Sequence, residues 1–206
     1  MLEKIHNYRE MNFSIKKKNI TAIGMASPFY NHTEEQVLLM LYDHGVSVIF
    51  SLEAQRSETI GNVFLSMSPN NKHFTIDIPD FHPPTIKQFN FLFNITENLP
   101  NKTKIAIHCL AGIGRTGTML SALSLLEQIT SLSIDSSTKL MNYDFNKSHI
   151  LKIKNEEHLV TNGVYQAIAR IRSLRNSEHS VETIGQIDAL MILEKSLILK
   201  YSTTAS

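Results

Sequence analysis

The sequence predicts an α/β domain, a central and mostly parallel sheet with helices on both sides. Three observations point there. Apolar runs of strand length alternate with longer stretches of helical periodicity. Polar, proline- or glycine-bearing connections separate them. One strand, Lys104–His108, feeds through a glycine-rich loop straight into a helix, the join that layered α/β domains use. At 206 residues, with 42% hydrophobic and 19% charged composition, the chain suits one domain with a real core.

In chain order, Ile20–Ala26 reads as a short strand. A helix follows over about Thr33–Asp43, opened by Thr33 with Glu34 and Glu35 and closed by Gly45. Val46–Leu52 reads as a buried strand and His73–Ile78 as another. Pro83 and Pro84 are predicted in the first turn of a helix whose apolar face is Ile86, Phe89, Leu92 and Phe93. After the strand Lys104–His108, a helix is predicted over about Arg115–Gln128, with Met119, Leu123 and Leu126 on one side. Two more are predicted over Gly163–Arg175 and about Thr183–Leu199.

Residues 1–11 read as an N-terminal extension and 130–160 as an insertion within a single domain of residues 1–206. The insertion opens Ser-rich, which predicts a flexible exit. Its residues Phe145, Ile150, Leu151 and Ile153 predict packing against something. It leaves the helix some 13 residues after Arg115, roughly 20 Å away at ~1.5 Å per residue. That distance predicts that it decorates the face away from the loop.

A net charge of +1 gives no footprint for nucleic acid, and the run Lys16–Lys18 reads as a solvated turn. No apolar run is long enough to span a bilayer. The first 19 residues carry no apolar stretch like that of a signal peptide. With one cysteine there is no intramolecular disulfide, and a reducing cytoplasm is the expected setting, with export into another cell left open. Oligomeric state is not legible.

The chemistry concentrates in His108-Cys109-Leu110-Ala111-Gly112-Ile113-Gly114-Arg115-Thr116. A tight strand-to-helix loop can turn successive backbone N–H groups inward as an anion nest, and glycine permits the backbone angles. The helix N-terminus adds positive potential, which favours bound phosphate and a thiolate at Cys109. Arg115 can fork onto two phosphate oxygens. Thr116 can hydrogen-bond the sulfur. His108, at the strand end, is placed to orient Cys109. A thiolate attacking a phosphate ester needs an acid for its leaving group, and Asp77 and Asp80 both qualify. His82, beside Asp80, is placed to line the pocket mouth.

The run HCLAGIGRTG resembles the signature loop of the protein tyrosine phosphatase superfamily, in the form of the small atypical dual-specificity phosphatases. Asn12–Ser14 with Ile23–Ala26 resembles the family's entry strand, and IPDFHPP at 78–84 its general-acid loop. Arg172–Arg175, Ser180–Thr183 and Gln186 resemble its closing segment. The resemblance implies the cysteine-phosphatase fold, Cys109 as nucleophile and Leu110, Ala111, Gly112, Ile113, Gly114 and Arg115 as the phosphate cradle. It implies Asp80 as acid and then base, with Gln186 positioning water. It implies no cofactor and no metal, since the arginine and loop amides take a cation's place. Leu110 and Ile113 stand where phosphoinositide-directed relatives often carry lysine, which favours a phosphoprotein substrate, phosphotyrosine with phosphoserine or phosphothreonine. A phosphoinositide or RNA 5′ phosphatase, or a phosphate-binding pseudophosphatase scaffold, stand as alternatives. Asn176 replaces the proline usual after the arginine matching Arg175, which predicts a looser corner.

Overall fold

The computed structural model describes residues 5–29, 33–135, 147–154 and 156–203. Strands β1 (Arg9–Ile15) and β2 (Lys18–Ala26) form an antiparallel hairpin. Met11, Phe13 and Ile15 point inward while Asn12 and Ser14 face water, the two-residue period of a half-covered strand. Lys16 and Lys17 make the turn with φ of 49° and 64°. β3 (Val46–Ser51), β4 (Lys72–Thr75) and β5 (Lys104–Cys109) complete a sheet in the order β1-β2-β5-β3-β4, parallel except at β1.

Helices cover both faces. On one, α1 (Glu34–Asp43) and α2 (Ser57–Met67) bring Leu38, Leu41, Ile60 and Phe64 against Ile23, Met25 and Ile49. On the other lie α3 (Ile86–Asn98), α4 (Gly114–Asp135), α5 (Asn162–Arg175) and α6 (Ile184–Thr203). There Phe89, Leu123, Ile168 and Leu190 pack with Ala22, Phe50, Ile105 and Ile107. Every residue from Gly114 to Leu126 is buried, so α4 is the central helix rather than one with a single wet side. A second sheet, the antiparallel hairpin β6 (Ser148–Ile153) and β7 (Glu156–Thr161), packs beside α5. Among the described residues no helix is long and apolar enough to cross a membrane.

Several expectations are corrected. The N-terminal extension is structural from residue 5: Ile5 is buried and β1 begins at Arg9. Helix α2 was not expected. β4 ends at Thr75, short of Ile78, because Ile76 and Ile78 already run as the loop toward Asp80. Pro83 and Pro84 precede the first turn of α3. The N-cap is Thr85, whose hydroxyl accepts from Gln88 N–H while the Gln88 side chain accepts from Thr85 N–H, a capping box. The first half of the Ser-rich stretch is helical: α4 runs on to Asp135, its later turns held by buried Ile129 and Thr130. The rest of the insertion over 136–146, Phe145 included, lies outside the described residues. Asn176 does not loosen its corner. It caps α5 at φ 48° with its N–H shared between the carbonyls of Arg172 and Ser173, a left-handed conformation proline cannot adopt.

Candidate active site

Cys109 ends β5, and its loop closes at Gly114, the first residue of α4. Gly112 sits at φ 72°, where any side chain would strike the backbone of Met25 and Ala26. Three contacts hold the loop from outside. Ser27 N–H donates to Leu110 O at 3.0 Å, Asn7 Nδ2 to Ala111 O at 2.7 Å, and Arg175 Nη2 to Gly112 O. Burial pulls Arg175 down to about 10, with the nearby Cys109 sulfur opposing. Cys109 is 3% exposed, and Thr116 Oγ1 donates to its Sγ at 3.2 Å.

A pocket of about 240 Å³ opens above the sulfur. Leu110, Ala111, Ile113, Gly114 and Arg115 line it together with Cys109, Asp80, Phe81 and Glu182. Arg115 is buried and braced, Nη1 donating to Ile78 O at 2.9 Å, while Nη2 pairs with Asp80 Oδ1 at 3.0 Å. Asp80 is 54% exposed on its side chain. Its loop is bent by Phe81 at φ 61° and by His82, whose Nδ1 lies 2.9 Å from Asp80 O. His82 therefore shapes the loop that carries Asp80 rather than lining the pocket. Asp77 points elsewhere, its Oδ1 accepting from Ala54 N–H at 3.0 Å.

His108, next to Cys109 at the end of β5, is fully buried. Its Nε2 lies 2.7 Å from Ser51 Oγ, which lies 2.8 Å from Nε2 of His73. Burial first, then His73, pushes His108 down to about 3, so it stays neutral. Gln186 is also fully buried: Oε1 accepts from Glu182 N–H at 2.9 Å, and Nε2 has no partner.

Two carboxylates escaped the sequence reading. Half-buried Glu53 is raised by burial, with Arg115 opposing. Glu182 packs on Gly114 and is raised by burial, with Lys154 pulling it back and Asp80 adding to the rise. No local motif marks Glu53, and Glu182 falls inside the Ser180–Thr183 stretch without a role assigned to it there. Val181, buried at φ 65°, fixes the bend that delivers Glu182.

Lys154 overturns the expectation that the insertion decorates the far face. The β6–β7 turn comes back to the pocket rim, its Nζ 5.8 Å from the centroid of the Phe81 ring. The far end of α4 lies at a distance, but a two-stranded hairpin is long enough to return.

Residues 23–128, just over half of the chain, match the family model described as "Polymorphic toxin system, DSP-PTPase phosphatase". No curated protein is detectably similar in sequence. Among solved structures, a mutant form of Tk-PTP is 21% identical, covering 87% of this chain and 92% of its own at TM-score 0.56. Kinase associated phosphatase (KAP), with its catalytic-site cysteine replaced by serine, is 18% identical over 92% and 96% at TM-score 0.59. PTPMT1 in complex with PI(5)P is 13% identical over 87% and 93% at TM-score 0.52. At such identities the likeness speaks to the fold, which is that of these cysteine phosphatases.

Proposed function

The chain belongs to the polymorphic toxin system DSP-PTPase phosphatase family, within the protein tyrosine phosphatase superfamily, and from that premise we propose that it hydrolyses phosphotyrosine, with phosphoserine or phosphothreonine, in proteins. The supporting observation is the meeting of Arg115 and Asp80 at 3.0 Å beside a pocket that contains Cys109. Binding and acid chemistry thus converge on one sulfur.

In this mechanism a phosphate enters the nest of loop amides from Leu110 to Arg115, and the Arg115 fork moves from Asp80 onto two of its oxygens. The Cys109 thiolate attacks phosphorus from the side opposite the ester oxygen. As the S–P bond forms and the P–O bond breaks, Asp80 gives its proton to the departing oxygen. The second step reverses the roles. The Asp80 carboxylate takes a proton from water, the water oxygen bonds to phosphorus, and the S–P bond breaks. The Thr116 hydroxyl, 3.2 Å from the sulfur, stabilises the returning thiolate. Gln186, whose Nε2 has no partner, holds that water, and buried neutral His108 orients the nucleophile. The family's designation makes the reducing cytoplasm of a recipient cell the proposed place of action.

The experiment is a turnover panel of phosphotyrosine and phosphothreonine peptides, soluble phosphoinositides and 5′-triphosphate RNA, run with the intact protein and with Cys109→Ser. Turnover of phosphopeptides that disappears in Cys109→Ser is expected. Preference for inositides or RNA ends would reassign the substrate, and inactivity on every substrate would favour a phosphate-binding scaffold.

A further inference from the structure

Beside the catalytic pocket, the β6–β7 hairpin and α5 enclose a second groove of about 690 Å³, within the range of ligand cavities. We infer that this groove receives an acidic stretch of the phosphoprotein substrate, with Lys154 reading the anionic side chain nearest the phosphorylated residue. The inference rests on the phosphatase reading above and adds to it a substrate class.

Charge is the first argument. The groove is lined by the cations Lys152, Lys154 and Arg172 against one carboxylate, Glu178, with Lys152 Nζ also 3.5 Å from Glu157 Oε1 on the same hairpin. The second is continuity. Lys154 stands over Phe81, which lines the catalytic pocket, and its charge acts on Glu182 in the same pocket. Glu182 would repel an acidic substrate, and Lys154 is the nearby cation that offsets it. The third is that the groove is already built. Leu151, Ile153 and Val160 anchor the hairpin in the main core, and Arg172 Nη1 donates to Lys152 O at 3.1 Å. Arg172 Nε and Nη2 donate to the carbonyls of Ser180 and Val181, next to Glu182. Arg172 therefore spends its fork on the frame and leaves direct recognition to the lysines.

The lining also favours an extended polypeptide over a compact polyphosphate headgroup. Lys152 lies in β6 and Lys154 in the turn beyond it, strung along the hairpin instead of converging on one point, and apolar Ile150 and Tyr165 lie among polar neighbours. A chain with mixed side chains matches that alternation. A headgroup with several phosphates calls for clustered cations.

The test compares two phosphotyrosine peptides that differ only in having Glu or Gln at the flanking positions. kcat/KM is measured for the intact chain, Lys154→Glu and the Lys152→Glu/Lys154→Glu double variant. Because the readout is the acidic-to-neutral ratio within each protein, any shared effect on chemistry cancels. The intact chain should prefer the acidic peptide, and each lysine reversed should lower the ratio about fivefold, less so in high salt. An unchanged ratio would overturn the inference. So would a loss confined to a soluble phosphoinositide included in the panel, which would assign the groove to a headgroup. Fluorescence anisotropy with the Cys109→Ser protein keeps the two readings separate. Lysine-dependent binding of the acidic peptide, together with absent turnover by the intact chain, would sink the phosphatase reading and sustain the groove.

Discussion

At Ser51 one hydroxyl proton serves two imidazoles, so the hydroxyl donates to one ring and accepts from the other. His108 stays neutral, and this bond holds its ring in place beside Cys109. Ser51→Ala removes the link without adding bulk or charge. The expected result is a kcat lowered about tenfold, a buried hydrogen bond being worth about 1 kcal/mol or more, with KM for an aryl phosphate nearly unchanged. A loss seen only in KM would place Ser51 in binding. The acid is open to an equally local test. Asp80→Asn should cut kcat about 10²–10⁴-fold on poor leaving groups while sparing activated aryl phosphates. Asp77→Asn should leave both almost unchanged, since Asp77 holds the Ala54 amide outside the pocket. Reversed behaviour in steady-state assays would exchange the two roles.

At the scale of elements, what was legible was local. Strand β5, its loop and the start of α4 are contiguous, and their chemistry is written in one run of residues. Helix α2 was missed although Ile60, Val63, Phe64 and Met67 keep helical spacing, because no cap announces it: Arg56, at φ 62°, offers no side-chain cap. β1 was half-read as a tail because Arg9, Glu10, Asn12 and Ser14 face water, and only the pairing with β2 reveals the inner row. Glu182 and Lys154 were invisible as site residues, since a bend at Val181 and a hairpin turn bring them to Phe81 and Gly114 from distant sequence. The hairpin supplies Leu151, Ile153 and Val160 to the core, so replacing Ser131–Glu157 with a short linker should be costly. Removal of two such buried aliphatic side chains predicts a loss of roughly 4 kcal/mol or more, read as a lower urea midpoint. An unchanged midpoint would mean that the hairpin packs without contributing to stability.

Helices cover both faces of one sheet, and we propose that the described residues unfold together as one domain. Acid should reveal the cost of the neutral histidines. His108 falls from an ordinary 6.5 to about 3 on folding, and His73 is also lowered by burial. Between those values the unfolded chain binds a proton that the folded chain refuses. Stability is therefore fully present above about pH 6.5 and declines as pH falls toward 3. The raised carboxyls of Glu53 and Glu182 act in the opposite sense, so over about pH 5 to 6.5 the histidine contribution is read as the difference between the intact chain and His108→Asn. Urea midpoints across that window should fall with acid, and less steeply in His108→Asn. A profile no steeper in the intact chain than in His108→Asn would contradict the burial of a neutral His108.

The central claim is that phosphate passes through the sulfur of Cys109. The direct measurement is acid-quenched mass spectrometry during turnover of an aryl phosphate, with the modified peptide sequenced. The account predicts one phosphoryl group, carried on Cys109 and absent from Cys109→Ser, which should still bind a phosphate analogue. A phosphoryl group on any other residue, or undiminished turnover by Cys109→Ser, would contradict it.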